Sequence, residues 1–314
     1  FLIRPVFYRL YVDKHYSINR DACYNEEPIQ QKWNGIAQHV SAVVIGSTDT
    51  VVLTLFSTLQ NVSIYSVYYL VINGLQKIFA SATTGFQSYY GELWAKNETE
   101  ILKKSFGYLV WVVHAGTVFV FGCTSLLIVP FINIYTKGVA DANYNVPVFA
   151  LFITLAYAAY CIRIPYSIMI LAGNHYSQTQ KCYTVAVGLN IVVSVITVKL
   201  HGLVGVAVGT LIAWLYQTVW MAVYNSNNLV CWPFSCFLKQ LLADVLSFLP
   251  PYFICSTWTL SASSYAAWIY LAVKVSIIWI VFIVIINTVF YRDHIISLLH
   301  KLKHVARMRR TGKL

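Results

Sequence analysis

The feature that most constrains this chain is a series of eight long apolar runs separated by short polar stretches. Their approximate bounds are 36–59, 62–87, 105–135, 146–173, 179–199, 203–224, 241–260 and 266–291. A helix of about 20 apolar residues crosses the ~30 Å hydrocarbon core of a bilayer, and every run approaches or exceeds that length. The runs predict an all-α, polytopic bundle of about eight transmembrane helices.

Composition excludes a soluble protein. Charged residues make up 11% of the 314 residues, whereas a soluble domain carries roughly 25%. The net charge of +11 then indicates membrane topology and no nucleic-acid partner. The seven cysteines are scattered and form no CxxC pair, and no spacing of ligands predicts a metal or another cofactor.

The positive charges orient the predicted spans. Seventeen of the 22 Lys and Arg residues fall on one predicted side, two on the other and three inside spans. Because basic loops stay in the cytoplasm, both ends of the chain are predicted to be cytoplasmic. The basic tail is predicted either to lie along the anionic inner leaflet as an amphipathic helix or to be a solvated end.

Four regions follow from this pattern. They are a cytoplasmic segment or end of a preceding helix at 1–35, a six-helix lobe at 36–225, two additional transmembrane helices at 226–291, and the basic tail at 292–314. The chain begins with Phe1, which predicts that it starts partway through a longer protein. No extramembrane domain is inserted, so catalytic residues are not expected and the sequence does not predict an enzyme.

Three charged residues fall near mid-depth of their spans, namely Asp49, Lys77 and Arg163. Each costs roughly 2.5–3.5 kcal/mol on insertion, so each is expected to face the bundle interior or a wet cavity. With a tight turn placed at 60–61, Asp49 is predicted to pair with Lys77 near Asn73. The pair would either serve transport or only fix the helix register.

A polar stripe follows one face of the second span, and cavity lining is preferred over helix–helix contact for it because it extends over five turns. Its members with candidate roles in a cavity are Asn73, Gln76 and Thr84. The full stripe is Ser66, Tyr69, Asn73, Gln76, Lys77, Ala80, Thr84 and Gln87.

Prolines inside spans predict helix-breaking positions at Pro165, Pro250 and Pro251. Arg163, next to the first of these, is either an anion contact or a cap for freed carbonyls. Lys274 is a weaker candidate, because its long stem can reach the interface.

Glycines and histidines inside the spans are given structural roles. Gly202, Gly205 and Gly209 predict close helix packing. His114 has no neighbour pattern that suggests a metal and is interpreted as a structural histidine.

Several stretches together resemble the second half of bacterial polysaccharide-export flippases of the multidrug/oligosaccharidyl-lipid/polysaccharide exporter superfamily. The stretches are EEPIQQKWNGIAQHVSAVVIGSTDTVVLTLFSTLQNVSIYSVYYLV, GELWAKNETEILKKSF, IPYSIMILAGNHYSQTQ and HGLVGVAVGTLIA. The resemblance implies the last eight helices of a fourteen-helix, two-lobed, MATE-like transporter in the bacterial inner membrane. The partners it implies are membrane lipids, polysaccharide polymerase machinery and an undecaprenyl-pyrophosphate-linked oligosaccharide, which moves from the inner to the outer leaflet by alternating access.

The resemblance makes Lys77, Arg163 and Lys274 candidate contacts for the lipid pyrophosphate, and Asp49 a charge partner or ion-coupling carboxylate. Three other interpretations stay open. They are a cation-coupled multidrug exporter of the same fold, a membrane-embedded polysaccharide polymerase or ligase, and an inactive remnant. The interior charges are mainly basic, which favours an anionic substrate over an organic cation.

Overall fold

The structure is a computed structural model that describes residues 3–16, 32–258 and 264–296. The chain divides into two units, residues 1–33 and 34–314. In the first unit, α1 (Ile3–His15) has 13 residues, too few to cross a bilayer. Its described side chains, from residue 6 onward, are almost all exposed.

The second unit is a bundle of helices, and no strand occurs among the described residues. The helices are α2 (Lys32–Phe56), α3 (Leu59–Thr83), α4 (Gly85–Ala95), α5 (Thr99–Tyr135), α6 (Pro147–Ala172), α7 (Tyr176–His201), α8 (Leu203–Asn228), α9 (Phe234–Ser256) and α10 (Tyr265–Phe290). Each of the eight predicted spans corresponds to one of them, and α4 is the helix that the apolar pattern did not predict.

Within the described residues, seven helices are long and apolar enough to cross a membrane. They are α2 and α5 to α10. The α3 helix has 25 residues, which is also a sufficient length, but its polar stripe makes it less apolar than the others. The predicted fold class, a polytopic transmembrane helix bundle, is confirmed.

The turn between the first two spans lies three residues earlier than predicted. α2 ends at Phe56, and Thr58 caps α3 by accepting a hydrogen bond from the backbone N–H of Asn61. Threonine is a favoured N-cap because its hydroxyl satisfies a free N–H of the first turn. The tight turn is therefore at 57–58 and not at 60–61.

None of the three prolines ends its helix. α6 continues through Pro165, and α9 continues through Pro250 and Pro251 to Ser256. The predicted break of the seventh span is therefore wrong. A proline removes one backbone hydrogen bond, and in a membrane helix neighbouring helices can compensate for that loss.

The α5, α6 and α8 helices form the centre of the bundle and carry most of its buried residues. The predicted glycine packing is confirmed where α8 meets α7. A Cβ atom at Gly205 would collide with the backbone of Thr197, and one at Gly209 with Ser194. This close approach brings polar residues of α7 and α8 together beneath α2.

Candidate functional site

Asp49 lies in a buried polar cluster between α2, α3, α7 and α8. Its side chain is 2% exposed. The hydroxyl of Thr210 donates to Asp49 Oδ1 at 2.6 Å, and the hydroxyl of Tyr65 donates to Oδ2 at 3.0 Å. The amide of Asn190 donates to Thr210 Oγ1 at 3.1 Å. Neutral donors therefore hold this carboxylate in the bundle interior.

The predicted pair between Asp49 and Lys77 does not form. No ion pair joins them, and the Lys77 side chain is exposed on α3. The turn explains the difference, because Asp49 is about eight residues before it and Tyr65 is about seven residues after it. Asp49 is therefore level with Tyr65, and Lys77 lies several turns away.

Two oxygen atoms beside this cluster have no hydrogen-bond partner. They are Oδ1 of Asn190 and Oγ of Ser194, both fully buried on successive turns of α7. Buried polar atoms are normally paired, so these two oxygens are acceptors that remain open to a ligand. The cluster thus offers several oxygen atoms and one carboxylate. Oxygen donors with a single negative charge suit a proton or a monovalent metal cation such as Na⁺.

Arg163 is buried on α6 without a carboxylate partner in the described part of the chain. It is 6% exposed. Its guanidinium carbon lies 4.7 Å from the ring centre of Tyr160 and 5.0 Å from that of Trp214. Its nearest polar contact is the sulfur of Met221 at 3.8 Å, and its Nε atom is unpaired. Cation–π contacts stabilise the charge and leave the N–H groups available for an anion.

A cavity of about 110 Å³ opens beside Arg163 between α2, α3, α6, α7 and α8. Gln217 is fully buried in its wall, and neither polar atom of its amide has a partner. Gln76 from the predicted polar stripe also contributes to the lining. The lining residues are Ala42, Ile45, Gly46, Tyr69, Gln76, Tyr157, Tyr160, Arg163, Tyr183, Trp214 and Gln217.

Aromatic side chains connect the two sites. Tyr65, which donates to Asp49, stacks on Tyr69 with ring centres 5.5 Å apart. Tyr69 packs edge-on against Tyr157 at 5.9 Å, and both rings line the cavity of Arg163. The carboxylate and the guanidinium therefore belong to one continuous polar and aromatic region.

The other predicted site residues lie elsewhere. Lys274 is exposed on α10 over the ring of Tyr270, at 4.2 Å. Asn73 is half-buried, whereas Thr84 is exposed and donates to the carbonyl of Ala80. Among the three candidate cations, Arg163 alone lines the cavity.

Sequence reasoning missed several residues of the region. Tyr65, Asn190, Thr210 and Gln217 give no signal by themselves, because single polar residues are common in membrane helices. It also missed Asp244, a carboxylate inside the seventh apolar run that pairs with His114. No group of three or more His, Cys, Asp or Glu side chains that could hold a metal ion occurs in the described residues.

Comparison with known proteins supports the fold. No protein-family model and no curated protein matches the chain. A solved structure of the lipid II flippase MurJ, in an inward closed conformation, matches with a TM-score of 0.56 and 18% sequence identity. The match covers 84% of this chain and 53% of the other, so the chain spans about half the length of that flippase. This chain therefore shares the helical fold of part of a membrane flippase.

Proposed function

We propose that the chain is part of a flippase that carries a lipid-linked oligosaccharide across the bacterial inner membrane. The observation that carries this proposal is the buried Arg163, which has no carboxylate partner in the described part of the chain, in a cavity of aromatic and amide side chains. The fold shared with a lipid flippase supports it. The substrate class is a polyprenyl-pyrophosphate-linked oligosaccharide, and membrane lipids and polysaccharide polymerase machinery are the proposed partners.

The chemistry of the cavity suits a negatively charged, hydroxyl-rich substrate. Guanidinium groups bind phosphate or carboxylate oxygens through two parallel N–H groups. Tyrosine and tryptophan rings offer apolar faces with polar edges, which fit the alternating surfaces of a sugar ring. The unpaired amide of Gln217 can both donate to and accept from sugar hydroxyls.

The exposed polar residues of α3 support a second surface for the substrate. Ser66 and Lys77 are exposed on one face of this helix, and Thr84, its C-cap, is exposed at its end, where contact with lipid tails would be costly. We place that face toward a water-filled interior between two lobes. In this arrangement Lys77 contacts the pyrophosphate during alternating access, and Lys274 contacts lipid headgroups.

Asp49 is the proposed coupling site. Binding of a proton or a monovalent metal cation neutralises its charge, and a metal cation can take the unpaired oxygens of Asn190 and Ser194 as further ligands. Tyr65 bonds Asp49 and stacks on Tyr69, which lines the cavity of Arg163. Occupation of one site therefore changes the surroundings of the other. An ion gradient would thereby drive the conformational cycle.

The test is complementation in a strain that lacks its own oligosaccharide exporter, with the full-length gene. Arg163→Ala should lower polysaccharide export at least about tenfold, because losing a buried charged partner costs roughly 2–5 kcal/mol. Arg163→Lys keeps the charge without the planar fork and should lose less. The matched control is Lys199→Ala, which removes an exposed cation.

Two results would contradict the proposal. If Arg163→Ala exports polysaccharide at the wild-type level, Arg163 takes no part in transport. Resistance to cationic drugs without polysaccharide export would favour the multidrug exporter. The cavity is lined by Arg163, whereas export of organic cations needs an acidic residue.

A further inference from the structure

A buried pair of ionisable side chains lies outside the proposed transport site, between α5 and α9. Nδ1 of His114 is 2.6 Å from Oδ2 of Asp244. The His114 side chain is fully buried and that of Asp244 is 8% exposed. The amide of Gln240, one turn earlier on α9, donates to Asp244 Oδ1 at 3.2 Å.

The surroundings of this pair contain several unpaired polar atoms. Nε2 of His114 has no hydrogen-bond partner, and neither do the hydroxyls of Thr117, Tyr166 and Ser247. Tyr166 packs edge-on against the imidazole with ring centres 6.4 Å apart. Around a purely structural pair, the neighbouring buried polar atoms would normally all have hydrogen-bond partners. An open nitrogen beside unpaired hydroxyls is instead a position that can take up a proton.

A cavity of about 170 Å³ reaches the pair from between α5, α6 and α9. Asp244 and Thr117 are the polar side chains in its otherwise apolar wall. The cavity offers space for water beside Thr117 and Asp244, the polar partners that a buried water needs. Water entering there can deliver or remove a proton.

Among the described residues, this pair joins α9 to α5, and three further polar contacts join α10 to α5. The indole of Trp111 donates to Asn287 at 2.6 Å, the indole of Trp268 donates to the carbonyl of Leu127 at 3.0 Å, and the Cys123 thiol is 3.9 Å from Ser276. Among these four, the His114–Asp244 contact is the one that joins two ionisable side chains. The docking of α9 on α5 therefore contains one contact that depends on proton occupancy.

We propose that the His114–Asp244 pair is a proton-binding site that controls how tightly α9 docks on α5. When a proton from water binds Nε2, the pair consists of an imidazolium and a carboxylate and has no net charge. When the proton leaves, a net negative charge remains buried with Gln240 and the neutral imidazole as its donors. An uncompensated buried charge is costly, so the unloaded pair weakens the contact between the two helices.

The other titratable groups near the pair do not supply a compensating positive charge. Tyr166 on α6 and Tyr291 after α10 interact electrostatically with Asp244, and Cys236 on α9 interacts with both tyrosines. Lys239 lies over the ring of Tyr291 at 4.9 Å. No Lys or Arg forms an ion pair with Asp244 in the described part of the chain.

Native cysteines make the test possible in the full-length protein reconstituted into vesicles. Cys255 of α9 is fully buried at the interface with α5 and α10, whereas Cys161 of α6 is fully buried in the centre of the lobe. The rate of thiol labelling is measured at each cysteine by mass spectrometry across a pH series. The ratio of the Cys255 rate to the Cys161 rate removes the effect of pH on thiol chemistry.

In the wild type this ratio should rise about tenfold with increasing pH, because loss of the proton leaves a buried charge without a cationic partner. It should become independent of pH in Asp244→Asn and in His114→Gln, while Asp244→Glu restores the dependence. Trp111→Phe weakens a neighbouring contact that does not titrate, so it should change the ratio equally at every pH.

A ratio that is flat with pH in the wild type would overturn the proposal, and this result needs no variant to fold. A pH dependence that persists in both Asp244→Asn and His114→Gln would overturn it as well.

Discussion

At the residue scale, a carboxylate inside a membrane helix must find donors to be tolerated. Asp49 finds two hydroxyls on neighbouring helices and no cation within the described residues. This arrangement stabilises the charged form while leaving it open to a ligand, because hydroxyls donate one hydrogen bond each and do not neutralise the charge. A salt bridge would have closed the site.

Replacing Asp49 by Asn tests its role as the coupling group. The single amide oxygen of Asn can still accept from one of the two hydroxyls, and its NH2 group can donate to the other, so the thermal midpoint should change by only a few degrees, consistent with about 1 kcal/mol. Transport in vesicles should lose its dependence on the Na⁺ or proton gradient. Asp141→Asn is the control, because this loop carboxylate also bonds Ser63 and Tyr144 but is exposed. Gradient dependence that survives in Asp49→Asn would contradict the assignment.

Gln217 offers a second test at this scale. Its amide is fully buried without partners, and an unsatisfied buried polar group costs about 1–3 kcal/mol. Gln217→Met should therefore leave the empty protein as stable as the wild type or more stable, while lowering export. Gln240→Met removes an amide that does bond Asp244 and should lower the thermal midpoint. If Gln217→Met is destabilised in the same way, the amide has a structural partner and not a substrate.

At the scale of the helices, the contact between α7 and α8 assembles the Asp49 site. α7 provides Asn190 and Ser194, and α8 provides Thr210 beside Gly209. Small residues let the two backbones approach closely, which is a main source of helix association in membranes. The geometry of the site therefore depends on glycines that touch no ligand.

Gly205→Ala should destabilise the protein by about 1–3 kcal/mol, because the new Cβ meets the backbone of Thr197, which cannot move as a side chain would. Gly188→Ala is the matched control, since a Cβ at this position in α7 meets nothing within 4 Å and alanine favours a helix over glycine by about 1 kcal/mol. Thermal unfolding measured by tryptophan fluorescence distinguishes the two. Equal midpoints for both variants would show that the contact is looser than described.

A second prediction at the scale of the helices concerns His175, at the junction of α6 and α7. Burial lowers the pKa of this imidazole, whose Nδ1 lies 2.7 Å from the hydroxyl of Tyr224. At a pH just below the ordinary histidine pKa of about 6.5, the folded state therefore binds fewer protons than the unfolded state. Stability should be complete above that pH and fall as pH decreases toward the lowered pKa. The fall in thermal midpoint should be smaller in His175→Gln, and an unchanged fall would contradict the assignment.

The apolar runs and the glycine spacing were sufficient to predict eight helices of the bundle, all except α4, and one of their contacts, because both depend on local pattern. The partners of the buried charges were not predictable in the same way. Asp49 and Thr210 are 161 residues apart, and His114 and Asp244 are 130 apart. A three-residue error in one turn was enough to give Asp49 the wrong partner. Arg163 was found because an arginine in an apolar run is conspicuous, whereas Gln217 and Asn190 are not.

At the scale of the whole molecule, the direction in which α3 faces decides between a lipid-exposed bundle and half of a transporter. α3 has exposed polar residues, whereas α10 is the most apolar span and is exposed along most of its length. Lipid contact suits α10 and does not suit α3. The two exposed surfaces therefore predict different environments within one protein.

Cysteines introduced at position 77 of α3 and position 277 of α10 measure that difference. Lys77 and Ile277 are both exposed in the described structure, so simple accessibility does not separate them. In the intact full-length protein, a membrane-impermeant thiol reagent should label Lys77→Cys at least about tenfold faster than Ile277→Cys, because reactive thiolate forms in water and not in hydrocarbon. Addition of substrate should slow the labelling at position 77 alone. Equal and slow labelling at both positions would place α3 against lipid, and the cavity between two lobes would then have no wall on this side.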